Sequence, residues 1–574
     1  MRTNSINIFI CICTFACIAL GVQAQKIVKL RILETTDLHG SFFSYNMMND
    51  EPAVGGLSRV AHLVDSLRVD YGDRLILLDN GDILQGQPAA YWANYVDTLG
   101  THLNAAMLNF IGYNAVTIGN HDIETGHAVY DRWVNQLDCP VLGANVISLK
   151  TGAPYFKPYT ILERDGVKIC VFGMITSAVP AWLPKNLWSG MHFESLVKTA
   201  KKWMPVILKE EKPDVIIGLF HSGSQGGIHN SQFVENEVKR VAEKVGGFDA
   251  IFFGHDHRKQ LIMISDKSGK KTPLINPAAH GHYVGNLDVT ILLKNDSIVD
   301  KKTRGSVVDV RYMASDSCFN KRFTQDMNRA KSFVNHQVGV ITSDLDAKEV
   351  LWGSSAYVDF IHELQLDITG ADISITAPQS LFNKISAGPV YMKDMFRYIC
   401  YENFLYTMNL RGSEIRDELE YSYNLWLAGM KKSSDHLLLL REGSTNNLKN
   451  FSFNFDSAAG IDYEVDVRKP FGQRVRVLRM SDGRAFDLNA MYKVAISSYR
   501  GNGGGELLTK GSGLTQAELS KRLIQSTTKD VRHYLIDYLL THKEMNPRAL
   551  HNWKFVPEKW TYEAAKRDSI AFYK

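Results

Sequence analysis

Histidine, aspartate and asparagine residues occur in short clusters whose spacing suits metal binding. Asp37 and His39 are two residues apart, as are His255 and His257, so each pair lies on one side of an extended chain and could reach one ion. Divalent ions that cleave phosphate esters use such mixed oxygen and imidazole ligands, with two ions about 3.5 to 4 Å apart sharing one activated water. The candidate ligands are Asp37, His39, Asp82, Asn120, His221, His255 and His257.

The carboxylate of Asp82 is the natural bridge between two ions, because one aspartate can give an oxygen to each. Asn120 offers a neutral carbonyl oxygen, which suits a hard or borderline divalent ion. Each motif alone is weak evidence, since a lone histidine at a strand end is more often an ordinary hydrogen-bonded residue. Their common order along the chain indicates a site for two divalent ions, and the ligand mixture suits Zn, Mn, Fe or Co.

Each cluster accompanies a strand-like apolar run, which indicates the elements that position it. In layered α/β folds, ligands gather at the carboxyl ends of strands because the loops there converge on one crevice. The sequence therefore predicts an α/β domain in which six loops build one site. The runs with their polar ends are VKLRILETTDLHG, DRLILLDNGDIL, AVTIGNHD, VKICVFGMIT, PDVIIGLFHSG and DAIFFGHDH.

The length of 574 residues predicts at least two domains, because single hydrophobic cores stop growing at about 250 to 300 residues. With 45% apolar and 22% charged residues, the composition is that of an ordinary folded protein. The formal net charge of +4 gives no argument for binding a nucleic-acid polymer. The strand-end clusters stop before a polar, helix-compatible stretch. We therefore predict a catalytic domain at 25–325, a linker helix at 326–345 and a second domain at 346–574.

The first 24 residues have the pattern of a secretory signal peptide, with one early positive charge, an apolar run and a small residue, Ala24, at the expected cut. A membrane anchor is one alternative, but the apolar run 6–22 is at the short limit of the ~17 to 25 residues that span a bilayer. A lipoprotein anchored through Cys17 is a weaker alternative, because the preceding Thr-Phe-Ala is not a good lipid-attachment motif. We therefore expect export to the periplasm, the medium or the cell surface, with no integral membrane segment after signal removal. The four later cysteines show no CxxC spacing and support no thiolate metal site.

The metal-binding motifs resemble those of the calcineurin-like metallophosphoesterases. The longer strings LETTDLHG, LLDNGDILQGQP, AVTIGNHDIETG, PVLGANV and FFGHDH are similar to the 5'-nucleotidase and 2',3'-cyclic nucleotide phosphodiesterase family. The resemblance spans nearly the whole chain after residue 24, and it implies a four-layer α/β/β/α N-terminal domain and an α+β nucleotide-binding C-terminal domain. It also implies one ion bound by Asp37, His39, Asp82 and His257, and a second bound by Asp82, Asn120, His221 and His255.

His121 is the candidate catalytic acid. It follows the ligand Asn120 directly, so its ring can turn towards the phosphate and stabilise the pentacoordinate oxygens or protonate the leaving group. Family members often pair this histidine with an acidic residue three positions later, which is Glu124 here. Asp122 is a second candidate partner, and Glu124 could instead be an acid that favours a helix start.

The substrate-binding candidates lie in the second domain. Bases stack on aromatic faces, and the family supplies two such rings, whose positions Phe455 and Tyr499 match best. Either residue could also be a core aromatic. The glycine cluster after Tyr499 fits a loop whose backbone approaches a ligand closely. The candidates are Phe455, Tyr499, Asn502, Gly503 and Gly504.

One departure from the family pattern bears on the substrate. The 5'-nucleotidase branch usually has an Asn-Gly-Gly-x-Arg string that brings arginine to the phosphate, whereas the aligned region here is ADISITAPQSLF. ADISITAP, YENFLYTMNLRGSEIRDELEYS and SYRGNGGG instead resemble the branch that opens 2',3'-cyclic nucleotides and removes the 3'-phosphate. We expect that bifunctional activity. The alternatives are a 5'-nucleotidase acting on nucleoside 5'-monophosphates or UDP-sugars, a generic sugar-phosphate or lipid phosphatase, and a non-catalytic surface binding protein.

Overall fold

The computed structural model describes residues 25–229, 232–295 and 297–574, and its N-terminal half is built on two six-stranded sheets. The first sheet contains four parallel strands and an antiparallel hairpin. Its spatial order is Ser297–Asp309, Tyr283–Lys294, Gln25–Thr35, Leu75–Asp79, Ala115–Thr117 and Val141–Leu142.

The second sheet has four parallel strands between two antiparallel edge strands. Its central strands are near-continuous apolar runs because both faces of the sheet are covered. The edge strand Lys259–Ser265 instead alternates between exposed and half-buried residues. The spatial order is Lys259–Ser265, Lys271–Pro277, Ala250–Phe253, Val215–His221, Val167–Ile175 and Tyr159–Arg164.

The two sheets pack face to face through a layer of buried aliphatic side chains, among them Ile32, Leu78, Val171 and Leu219. Helices cover the outer face of each sheet, so the half is a four-layer α/β/β/α sandwich, and this part of the predicted fold is confirmed. Helices Leu57–Tyr71, Leu103–Ile111, His127–Gln136 and Ser317–Val334 cover the first sheet, and Leu196–Val206 and Val238–Lys244 cover the second.

The helix that connects the two halves differs from the predicted linker at 326–345. It runs over Ser317–Val334, and the Asp316 side chain caps its start by accepting a hydrogen bond from the Phe319 N–H. Residues Gln337–Ile341 form a strand instead of a helix, because this valine-rich segment pairs with two other strands of the C-terminal half. The predicted helix therefore began and ended about ten residues later in the chain than the observed helix. The domain bounds at 325 and 346 stay predictions.

The C-terminal half combines sheets and helices around one core, which is an α+β arrangement. Its five-stranded sheet has the order Ser457–Ala459, Ile373–Thr376, Met491–Ser497, Phe404–Arg411 and Leu523–Asp530. Two three-stranded sheets are Gly388–Tyr391, Gln337–Ile341 and Glu544–Met545, and Val475–Met480, Ile461–Asp466 and Trp553–Val556. The larger helices are Ala356–Thr369, Met392–Tyr398, Gly412–Trp426, Gln516–Arg522, Val531–His542 and Glu558–Phe572.

The two halves contact each other through Tyr91, which ends the short helix Pro88–Tyr91 of the N-terminal half. Its ring lies edge-on to Phe396, at 5.3 Å between centroids, and belongs to the buried core of the C-terminal half. Smaller two-stranded sheets pair Tyr45–Asn46 with Glu51–Pro52, Val146–Ser148 with Met191–Phe193, and Leu345–Asp346 with Lys384–Ile385.

Within the described residues, no helix has both the length and the apolar character needed to cross a membrane. The predicted signal peptide, residues 1–24, lies outside the described residues.

Candidate active site

Two groups of candidate ligands meet at the carboxyl ends of the strands. Asp37, His39 and His257 form one group, and within each group the candidate ligand atoms lie within 4.8 Å of one another. In this first group His257 Nε2 is 3.2 Å from Asp37 Oδ1 and 3.0 Å from His39 Nε2. The second group is Asp82, His221 and His255.

Asn120 adjoins the second group, because its Oδ1 lies 3.2 Å from His221 Nε2. The structure therefore brings all seven predicted ligands into one crevice.

The backbone at this crevice is held in an uncommon conformation. Five of the seven candidate ligands have a positive φ, which a residue with a side chain rarely adopts and which costs on the order of 1 to 3 kcal/mol at each position. Such strain persists where the surrounding structure fixes it, typically at functional sites. The φ values are 51° at Asp37, 47° at His39, 57° at Asp82, 73° at His255 and 54° at His257.

Hydrogen bonds fix the direction in which two of the histidine rings point. His221 Nδ1 lies 2.7 Å from the Asn80 carbonyl oxygen, and His39 Nδ1 lies 3.1 Å from the Gln85 carbonyl oxygen. A carbonyl can only accept, so Nδ1 carries a proton in both rings, and Nε2 is the atom through which each ring could bind an ion once that nitrogen is unprotonated. This is the tautomer that a metal-binding histidine needs.

Asp82 also fits a cation better than it fits its protein neighbours. Its Oδ1 accepts a hydrogen bond from the His121 N–H at 2.8 Å. Its buried Oδ2 lies 3.1 Å from His221 Nε2 but is in no favourable hydrogen bond with a described residue. A buried carboxylate oxygen without a donor is costly, and a divalent ion would compensate it. The donors present therefore fit divalent ions.

The charges of the crevice perturb one another strongly. Burial alone would raise the pKa of Asp37, but His257 and His221 hold that pKa well below its usual range. Burial would likewise lower the pKa of His221, yet Asp82 raises it to about 9. Burial lowers the pKa of His39 to about 3, so this ring is neutral and available as a ligand.

His121 and Glu124 form a pair beside the second ligand group. His121 Nδ1 lies 2.5 Å from Glu124 Oε2, and both residues belong to the short helix Asn120–Glu124. Burial would lower the pKa of His121, but the charges of Glu124 and Asp82 outweigh it and raise that pKa to about 10. The structure thus places Glu124 where it can orient the ring and keep it protonated.

Asp122 is not a partner of the His121 ring, which corrects that prediction. Its buried carboxylate accepts hydrogen bonds from four backbone N–H groups, at 2.8 to 2.9 Å. The donors belong to Gly119 and to the turn 82–84, so the carboxylate is fully used in shaping the loop that carries Asp82. Asp122 therefore supports the loop of Asp82 and does not line the interdomain cavity described below. The donor residues are Asp82, Ile83, Leu84 and Gly119.

A cavity of about 310 Å³ lies between the two halves of the protein, next to the second ligand group. Asn120, His121 and His255 line one end of this interdomain cavity, and Phe453 and Tyr499 line the other. The ring centroids of these two aromatics are 6.3 Å apart, edge to face. Aromatic side chains close to a metal site that could bind phosphate are well placed to stack on the base of a nucleotide.

Phe455 is not one of the rings that line the interdomain cavity, which corrects a second prediction. It is 0% exposed and stacks on Trp426 within the core, at 5.4 Å between centroids and 6° between planes. Phe453 is the residue that lines the cavity, with Phe451 stacked on it at 5.1 Å. The segment FSFNFD has three phenylalanines at alternate positions, so the sequence pattern alone could not separate them.

The glycine cluster packs behind Tyr499 and does not line the cavity, which corrects the predicted contacts of Asn502, Gly503 and Gly504. The Asn502 amide donates to the Tyr406 hydroxyl at 3.2 Å. A Cβ on Gly504 would lie 2.6 Å from the Tyr499 ring, so glycine is needed for that ring to sit where it does. Gly503 has a φ of 95° and turns the chain. Of the predicted substrate contacts, only Tyr499 lines the cavity.

Trp182 and Glu235 of the N-terminal half also line the cavity, and sequence reasoning missed both. The Trp182 ring lies 5.5 Å from the His255 ring, and Glu235 Oε1 lies 3.2 Å from His255 Nε2. Both residues come from irregular segments without a recognisable motif. They come close to His255 only in the folded protein, so the sequence does not show that they line the cavity.

Comparison with known proteins agrees with this architecture. Residues 30–259 match the calcineurin-like phosphoesterase family, and residues 336–510 match the 5'-nucleotidase C-terminal domain family. The chain is 26% identical to the trifunctional nucleotide phosphoesterase protein YfkN of Bacillus subtilis, over 94% of this chain but only 40% of that longer protein. It is 25% identical to the 2',3'-cyclic-nucleotide 2'-phosphodiesterase/3'-nucleotidase of Yersinia enterocolitica, over 92% of this chain and 88% of that one.

The fold is also found in a solved structure. The 5'-nucleotidase precursor of Thermus thermophilus superposes with a TM-score of 0.61 over 92% of this chain and 100% of that chain, at 20% identity. The fold and the two matching domains define a metal-dependent phosphoester hydrolase. More narrowly, the chain belongs to the 5'-nucleotidase and 2',3'-cyclic nucleotide phosphodiesterase family of the calcineurin-like metallophosphoesterases.

Proposed function

We propose that this protein is an exported 2',3'-cyclic-nucleotide 2'-phosphodiesterase and 3'-nucleotidase that uses two divalent ions. The observation that carries the proposal is the interdomain cavity, which joins the candidate metal crevice to two aromatic rings. In this assignment one ion is bound by Asp37, His39, Asp82 and His257, and the other by Asp82, Asn120, His221 and His255. The export signal is the pattern of residues 1–24.

Two ions bound there would supply an activated water and neutralise the charge of the phosphate. The protein's own groups complete the reaction. His121 lines the cavity beside Asn120 and donates a proton to the leaving oxygen of the nucleoside. Glu124 holds the His121 ring through Nδ1, so that Nε2 is the atom that faces the substrate. Phe453 and Tyr499 bind the base by stacking.

The absence of a free arginine or lysine among the described residues that line the cavity supports the 3'-nucleotidase assignment over the 5'-nucleotidase one. The segment that replaces the arginine-bearing string of 5'-nucleotidases lines the cavity with Thr376, Pro378 and Gln379 and brings no arginine. Arg500 is the only arginine or lysine among the described residues that line it, and its guanidinium already donates to Asp456 and the Gly504 carbonyl. The likeness to the Yersinia enterocolitica enzyme along most of the chain supports the same substrate class.

A substrate panel tests the proposal. The purified protein is assayed with 2',3'-cyclic AMP, 3'-AMP, 5'-AMP and a phosphate ester without a nucleoside, each with added Zn, Mn, Fe or Co. We expect the cyclic nucleotide and 3'-AMP to have the highest kcat/KM. Dominant turnover of 5'-AMP would place the enzyme in the 5'-nucleotidase branch, and a preference for the ester without a nucleoside would remove the role of the two rings.

A further inference from the structure

Glu402 is an acidic residue inside the interdomain cavity that has no part in the mechanism above. It comes from the C-terminal half and is only 4% exposed, yet it lines the same cavity as His121 and Tyr499. Acidic side chains are seldom buried to this degree without a partner and a reason. Neither the metal crevice nor the aromatic pair needs this carboxyl group.

Arg532 fixes one side of Glu402. Its guanidinium is fully buried, lies 4.2 Å above the Phe396 ring, and donates to the carbonyl oxygens of Ile399 and Cys400. The same guanidinium donates to Glu402 Oε1 at 3.3 Å. The other oxygen, Oε2, accepts no hydrogen bond from any described residue, so one acceptor remains for a ligand in the cavity.

Glu402 lies where it would face the sugar of a nucleotide whose phosphate is at the metal crevice and whose base is at the rings. Its neighbour Tyr401 contacts the Phe453 ring at 6.4 Å between centroids, which places Glu402 near the base end. Glu124, at the metal end, lines the same cavity, and its charge is one of those that raise the pKa of Glu402. A nucleoside that spans from the phosphate to the rings therefore has its ribose beside this carboxyl group.

The surroundings of Glu402 favour a neutral hydroxyl over a second phosphate. Burial raises the pKa of Glu402, and Asp530 and Glu124 add to this against the pull of Arg532, so that the pKa is about 8. The same burial and the same acidic neighbours oppose any added anion. Arg500 is the only arginine or lysine among the described residues that line the cavity, and its donors are occupied. The protonated His121 also lines it, but its charge is paired with Glu124.

We propose that Glu402 accepts a hydrogen bond from the ribose hydroxyl at the end of the sugar remote from the scissile phosphate. We further propose that it excludes nucleotides with a second phosphate at that hydroxyl. In a 2',3'-cyclic nucleotide this group is the 5'-hydroxyl. The inference rests on the proposed nucleotide hydrolysis and makes Glu402 a specificity-determining residue. The substrate class becomes nucleosides that carry one phosphate group, cyclic or open.

The test compares adenosine 2',3'-cyclic phosphate with its 5'-deoxy and 5'-phosphorylated forms. The natural protein should lose about tenfold or more in kcat/KM when the hydroxyl is removed, as expected for a hydrogen bond to a buried acid, and at least as much when it is phosphorylated. Glu402→Leu should turn over the parent and the 5'-deoxy compound equally. Glu402→Gln keeps a neutral hydrogen-bonding group of the same size as the protonated acid, so it should keep the preference for the hydroxyl over both the 5'-deoxy and the 5'-phosphorylated forms.

Ratios between substrates within one variant are unaffected by the fraction of folded protein, so loss of stability cannot imitate these results. Glu506→Gln is the matched control, because Glu506 pairs with Lys510 in the glycine loop and does not line the cavity. It should keep the natural ratios. Equal turnover of the three compounds by the natural protein, or undiminished discrimination in Glu402→Leu, would overturn the inference.

A wrong assignment of the phosphate position would give a different result from a wrong role of Glu402. If the natural protein hydrolyses 5'-AMP and not the cyclic nucleotide, the proposed phosphate position is wrong while the role of Glu402 is still open to the same measurement. The substrates are then 5'-AMP, its 3'-deoxy form and its 3'-phosphorylated form. Discrimination that disappears in Glu402→Leu would support the inference there as well, and discrimination that persists would refute it.

Discussion

The two phenylalanines at 453 and 455 give the sharpest test of the substrate site, because they differ by two positions and have opposite environments. Phe453 lines the interdomain cavity and is partly exposed, whereas Phe455 is fully buried on Trp426. Replacing each by alanine should therefore affect different quantities.

Phe453→Ala removes a stacking face for the base. Stacking contributes about 1 to 3 kcal/mol per base, so KM for the nucleotide should rise about 5- to 150-fold. The kcat should change little, because the metal crevice and His121 are untouched. Its melting temperature should stay close to that of the natural protein.

Phe455→Ala leaves a hole in the core of the C-terminal half. Truncation of a buried phenylalanine costs about 3 to 5 kcal/mol, which corresponds to roughly 6 to 20 °C in melting temperature for a domain of this size. The KM of the folded fraction should change much less than in Phe453→Ala, since the ring does not reach the cavity.

Steady-state kinetics on the preferred nucleotide and on phenyl phosphate, together with thermal unfolding, separate the two effects. The rise in KM for Phe453→Ala should appear with the nucleotide and be much smaller with phenyl phosphate, which has no base. If Phe455→Ala raised the nucleotide KM selectively at normal stability while Phe453→Ala left it unchanged, Phe455 and not Phe453 would be the base-binding ring.

Three further predictions concern the metal crevice. Asp82→Ala should lower kcat by about a thousandfold or more and reduce the bound metal measured by elemental analysis, because the shared carboxylate is lost; near-normal rates would contradict the bridging assignment. Glu124→Gln should lower kcat by roughly 10- to 100-fold with little change in KM, since the His121 ring loses its orienting charge, whereas a change confined to KM would point to a binding role. Asp122→Ala should reduce stability by more than about 3 kcal/mol, because four buried N–H donors lose their acceptor, and a normal unfolding midpoint would contradict this account.

The N-terminal fold and the gathering of its ligands could be predicted because their signals are local. An apolar run followed at once by Asp-x-His or Gly-Asn-His places the polar residue at a strand end, and parallel strands bring such ends together. Asp37, Asp82 and His255 reach one crevice for that reason. The left-handed backbone at these residues is a consequence of the same turns and was not visible in the sequence.

The roles of Asp122 and Glu402 could not be predicted, because they depend on partners far away in the chain. Asp122 accepts from backbone donors about 40 positions earlier, where a loop of different sequence happens to turn. Glu402 is buried by Arg532, which lies 130 positions later. The sequence around an acidic residue does not show which hydrogen-bond donors the fold will place next to its carboxylate.

The wrong prediction that Phe455 binds the base has a local cause instead. In FSFNFD, alternate phenylalanines would share one face if the segment were an extended strand. Residues Ser452–Asn454 form a 3-10 turn, which breaks the alternation and turns Phe453 towards the cavity while Phe455 enters the core. Arg500 stabilises this arrangement, because it donates to the Phe453 carbonyl and to Asp456 on either side of Phe455. A buried arginine that follows Tyr499 directly thus ties the two ring-bearing loops together, which explains why its guanidinium serves the shape of the base site and not the phosphate.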